Sequence, residues 1–67
     1  MHSPTLDSIL MVEEMIKKNS GAYGKYQIWK KLPKKMMYQT FQIILEYLQR
    51  SDKIMIMDGK VLWVVKR

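Results

Sequence analysis

Asp58-Gly59 stands between two runs of strand-forming residues, Ile-Met-Ile-Met at 54–57 and Val-Leu-Trp-Val-Val at 61–65. Asp-Gly readily supplies the two positive φ angles of a tight two-residue turn, whose twist matches the strands it joins. The dipeptide therefore predicts a hairpin and fixes its register: Met57 faces Lys60, Ile56 faces Val61, and Ile54 faces Trp63. One face then carries Ile54, Ile56, Val61, Trp63 and Val65, β-branched and aromatic residues that suit a core. The other carries Met55, Met57, Leu62 and Val64. A hairpin with one solvated face should alternate with polar residues there, and this one largely does not. Something is expected to cover part of the second face.

Upstream of the hairpin the pattern is helical. Ser3 and Pro4 form a start signal, Ser as a cap and Pro at the first helical position. Asp7 adds a favourable negative charge in the first turn. Leu6, Ile9, Leu10, Val12 and Ile16 recur at helical spacing, and Lys17-Lys18 followed by Asn19-Ser20-Gly21 ends the run. Met11 and Met15 are expected on the side opposite that stripe. Residues 21–24 leave room for a turn or one bridge of strand. A second helix is expected over 25–32, burying Ile28, Trp29 and Leu32, and Pro33 stops it. A third is expected over about 35–50, with Met37, Phe41, Ile44, Leu45 and Leu48 as its apolar stripe. Lys35, Gln39, Gln42, Glu46 and Gln49 lie roughly opposite, and no Ser, Thr, Asp or Asn stands at the expected cap.

A chain of 67 residues is expected to form one domain, 1–67, and to bury only about 60% of its unfolded surface. It has no cysteine, so neither a disulfide nor a thiolate metal site supports that small core, and a reducing, cytoplasmic compartment is expected. The single histidine, His2, is not expected to be a ligand. The start MHSPTLDS has neither a basic n-region nor an apolar run, so no signal peptide is expected. No stretch approaches the ~20 apolar residues of a membrane span, and no membrane partner is expected. No nucleophile–base pair is visible and the three glycines form no phosphate-cradling loop. An enzyme, a cofactor and a small-molecule substrate are accordingly not expected.

Charge is the informative part of the composition. Lys and Arg outnumber Asp and Glu by 12 to 6, and the excess is uneven. No acid occurs between Met15 and Leu45, a stretch holding Lys17, Lys18, Lys25, Lys30, Lys31, Lys34 and Lys35. A one-signed segment makes a field that attracts polyanions. The same lysines also serve as a solubilising face, and those near a helix C-terminus complement its dipole.

Helix, short link, helix, turn, helix and hairpin in this order resembles the winged helix-turn-helix family, an α+β fold. The resemblance rests on Ile28 and Leu32, on Phe41, Ile44, Leu45 and Leu48, on Asp52-Lys53-Ile54, on Asp58-Gly59 and on Trp63-Val64. It implies a small DNA-binding transcriptional regulator of prokaryotic or archaeal type, its third helix in the major groove of double-stranded DNA and its hairpin as the wing. On that reading Lys35, Tyr38, Gln39 and Gln42 lie near base edges, while Lys31, Lys34 and Lys60 meet phosphates. Gln can bond bidentately to adenine, Lys can donate to guanine, and rim lysines position the protein without reading sequence. Met11, Met15, Met55, Met57, Leu62 and Val64 are the residues expected at a homodimer or protein-partner interface. The alternative is a protein-interaction winged helix within a larger assembly, because fold alone does not choose between these uses.

Overall fold

A computed structural model describes residues 5–64, in the order α1 (Leu6–Lys18), α2 (Lys25–Lys31), α3 (Tyr38–Arg50), β1 (Ile54–Met57) and β2 (Lys60–Trp63). Three helices followed by an antiparallel hairpin make an α+β layout consistent with a winged helix. The hairpin has the expected register, Ile54 with Trp63, Met55 with Leu62, Ile56 with Val61 and Met57 with Lys60. Asp58 and Gly59 both take positive φ, 52° and 76°. Val65, expected on the core face, lies outside the described residues, as do Ser3 and Pro4.

Thr5 caps α1, its side-chain oxygen accepting from the Ser8 N–H. The core-facing side of this helix is half-buried Ile9 with buried Val12, Glu13 and Ile16, spaced i, i+3, i+4 and i+7. Leu6 and Leu10, expected in the stripe, are instead 70% and 47% exposed. Glu13 takes the position that Leu10 was expected to hold. Its charge is tolerated because Lys53 Nζ lies 3.4 Å from Oε2, tying α1 to the entry of the hairpin. Burying an unpaired carboxylate would be costly.

Between α2 and α3, residues 32–37 form an irregular connection that bends at Pro33 and Lys34. Pro33 excludes the helical region at Leu32, which sits at φ −62° and ψ 141°. The Trp29 indole then donates to the Met36 carbonyl at 2.7 Å, a carbonyl that a longer helix would have offered to Thr40. Met37 is left extended as the N-cap of α3, without a side-chain cap. The third helix therefore begins three residues later than expected, Met37 is exposed instead of core, and Lys35 precedes the helix.

Phe41, Ile44, Leu45 and Leu48 from α3 meet Val12, Ile16, Ile28, Leu32, Ile54 and Val61 in one core. The α3 C-terminus closes with the Lys53 N–H bonded to the Leu48 carbonyl and the Asp52 N–H to that of Gln49. Asp52 occupies the left-handed position, φ 60°, that such a C-terminal motif usually gives to glycine. Asp52→Gly should relieve that conformational cost and raise stability by up to ~1 kcal/mol. A thermal melt checks this, and an unchanged or lowered midpoint contradicts it.

The outer edge of β2 is covered. The Gly21 N–H donates to the Val61 carbonyl and the Val61 N–H to the Tyr23 carbonyl, both at 2.9 Å. Ser20 Oγ accepts from the Trp63 N–H at 2.8 Å. Residues 20–23 thus flank the hairpin as an irregular third segment. Leu62 Cδ2 lies 3.1 Å from where a Cβ on Gly21 would stand, so this segment also supplies part of the cover expected over the second hairpin face.

Candidate nucleic-acid interface

The outward face of α3 forms the floor of a shallow depression of about 130 Å³, lined by Lys25, Gln42, Glu46, Gln49 and Ile56. Lys25 is the first residue of α2. The hairpin tip borders the same helix start: a Cβ on Gly24 would lie 2.6 Å from the Gly59 carbonyl oxygen. Gly24 has no side chain with which to cap α2, and instead its own N–H donates to Gln27 Oε1 at 3.1 Å. The α2 N-terminus and the α3 face thus meet at this depression, and the hairpin tip, followed by Lys60, sits beside the same helix start.

The expected nucleic-acid residues do not all gather in this depression. Gln42 lies in the depression with Lys25, and Gln39 is exposed in the first turn of α3. Lys60 is exposed just after the tip. Lys34 and Lys35 instead line a different hollow, about 440 Å³, with Asp7, Ser8, Met11 and Met36. Lys31 lies with its Nζ 5.2 Å from the centre of the Tyr23 ring. A lysine so placed is attracted by the ring quadrupole, and Lys30 over Tyr26 repeats the arrangement at 5.3 Å.

Tyr38 is a packing residue. It is half-buried, with its ring centre 5.0 Å from that of Trp29 and 6.0 Å from that of Phe41. The edge-to-face contact with Trp29 ties the first turn of α3 to α2. Glu46, exposed and inside the depression, places one negative charge toward the C-terminal half of the α3 face. Lys25 was not singled out from sequence. The signal was its position directly after Gly24, at the start of a helix.

The expected interface residues also separate. Met11 and Met15 are half-buried against the core, and Asn19 Nδ2 donates to the Met15 carbonyl at 3.0 Å. They do not lie on a free face opposite the stripe. Met55 and Met57 are 45% and 52% exposed, Val64 is exposed and Leu62 is half-buried. Among the described residues no cluster of His, Cys, Asp or Glu is arranged to hold a metal ion. No helix there is long and apolar enough to cross a membrane. Compared with known proteins, the chain matches no protein-family model, no curated protein and no solved structure.

Proposed function

We propose that this is a winged-helix protein that binds double-stranded DNA and acts in transcriptional regulation. The observation carrying the reading is the meeting of the α2 N-terminus with the outward face of α3, the hairpin tip close by, within a chain whose stretch from Met15 to Leu45 has no acid. Gln39 and Gln42 have the donor–acceptor pairs needed for adenine edges. Lys25 and Lys60 flank them as phosphate contacts, and Lys34 and Lys35 reach phosphates from the segment connecting α2 to α3. Glu46 repels phosphate, so it favours entry by the N-terminal half of α3 alone.

The test is a titration with random-sequence duplex DNA at stepped salt. Each phosphate bound releases counterions, so log affinity should fall linearly with log salt. Lys25→Ala with Lys60→Ala, and separately Lys34→Ala with Lys35→Ala, should each flatten the slope by about 1 for every phosphate left without its lysine. Gln42→Ala should change sequence preference more than the slope. Absence of duplex binding at about 50 mM salt, where the electrostatic contribution is large, sinks the proposal.

A further inference from the structure

A hollow of about 400 Å³ opens beside the segment that joins α2 to α3, lined by Trp29, Lys30, Leu32, Pro33, Lys35 and Met36. It shares no lining residue with the depression on the α3 face. Its walls are held in place by the fold. Leu32 is buried in the core, proline fixes its own φ, and the Trp29 indole donates to the Met36 carbonyl at 2.7 Å. Packing of the Trp29 ring on Tyr26 and Tyr38, with centres 5.4 and 5.0 Å away, restrains it further. Ligand pockets are commonly of this size, mainly apolar with a few placed polar groups. Here four apolar side chains are joined by two ammonium groups and no acid.

Charge selects the occupant. Among the described residues the ion pairs are Lys17 with Glu14 and Lys53 with Glu13, so Lys30 and Lys35 have no carboxylate partner there. Both lie in the stretch from Met15 to Leu45 that has no acid. The adjoining hollow, which shares Pro33, Lys35 and Met36, differs in holding Asp7 and is the poorer seat for an anion. We propose that the hollow of Trp29 binds an acidic peptide segment of a partner protein. One bulky apolar side chain of the peptide fills the space against Trp29, Leu32, Pro33 and Met36, and carboxylates on either side of it meet Lys30 and Lys35. A nucleic-acid backbone would satisfy the lysines and leave the apolar lining wet. A neutral apolar peptide would make no use of the lysines. An acidic peptide with one large apolar residue matches both, and its charge is complementary to the surface it approaches.

The inference does not rest on the DNA reading. Lys35 serves both, so peptide and random-sequence duplex DNA are titrated separately into the nitrogen-15-labelled full chain. The readout is the NMR signal of the Trp29 indole N–H, told apart from that of Trp63 by a Trp63→Phe variant. The probe is a short peptide of alternating Asp and Glu with a single central Phe. It should shift the Trp29 indole and the amides of Lys30, Lys35 and Met36, saturating below millimolar concentration. The same peptide with Ala for Phe should bind at least about tenfold more weakly, the loss expected from one buried aromatic side chain. A peptide with Asn and Gln for Asp and Glu should also bind more weakly. Lys30→Glu with Lys35→Glu, both exposed positions, should abolish binding and leave the circular dichroism spectrum unchanged. Equal binding of the Phe and Ala peptides would mean attraction to a charged surface alone and overturns the proposal. Peptide shifts centred on Gln42 and Glu46, or the absence of any saturating shift, overturn it too. A Trp29 indole that moves with duplex DNA but not with peptide assigns the hollow to nucleic acid and has the same consequence.

Discussion

Phe41→Ala should leave the chain largely unfolded at ambient temperature. The side chain is fully buried in the core cluster, with its ring centre 6.0 Å from that of Tyr38. Truncation of a buried Phe costs about 3–5 kcal/mol, because the forfeited transfer energy is joined by the cavity left behind. A domain of this size has roughly 3–10 kcal/mol in total, so one substitution removes much of it. Leu6→Ala and Leu10→Ala, large apolar residues on the exposed side of α1, should instead change stability by no more than ~0.5 kcal/mol. Urea denaturation followed by circular dichroism measures all three. A Leu10→Ala cost comparable to that of Phe41→Ala would mean that the core-facing side of α1 is not Ile9, Val12, Glu13 and Ile16.

Gly24→Ala should separate the hairpin tip from α2. At this residue φ is −80° and ψ 174°, a conformation open to alanine, so the backbone itself raises no objection. The obstacle is spatial: the new methyl would stand 2.6 Å from the Gly59 carbonyl oxygen, a backbone atom that no rotamer change can move aside. Overpacking of this sort typically costs about 1–3 kcal/mol. Gly59→Ala makes a useful contrast, since a Cβ there meets nothing within 4 Å and only the positive φ opposes it. If the proposed function holds, Gly24→Ala should also weaken duplex binding in excess of its effect on the folded fraction, because Lys60 moves with the tip. Unchanged stability in Gly24→Ala would show that the tip does not rest on the helix start.

Features set by neighbouring residues were legible in the sequence. The hairpin register follows from Asp58-Gly59 alone, and Phe41, Ile44, Leu45 and Leu48 are buried as their spacing requires. What escaped depends on distant partners. Helical spacing permits either Leu10 or Glu13 beside Ile9, Val12 and Ile16, and hydrophobicity favours Leu10. The choice of Glu13 is made by Lys53, forty residues away. Likewise the apolar repeat continues through Met37, but the helix does not, because the Trp29 indole holds the Met36 carbonyl. The basic character of the candidate site was plain from Lys25 to Lys35. Its division into one group beside Gln42 and another beside Asp7 depends on the path of the connecting segment, which local spacing does not specify.

The bonds from residues 20–23 to Val61 and Trp63 carry a consequence for the order in which the chain assembles. They join segments about forty positions apart, so closing the sheet demands a long loop before any reward is gained. Val61 is also fully buried, which makes the last strand a wall of the core and not an appendage. During synthesis, α1 to α3 emerge first but have nothing to pack against on that side. Closure waits until β2 has cleared the ribosome, and until then the helices leave exposed the apolar surface that makes unfinished chains prone to aggregate.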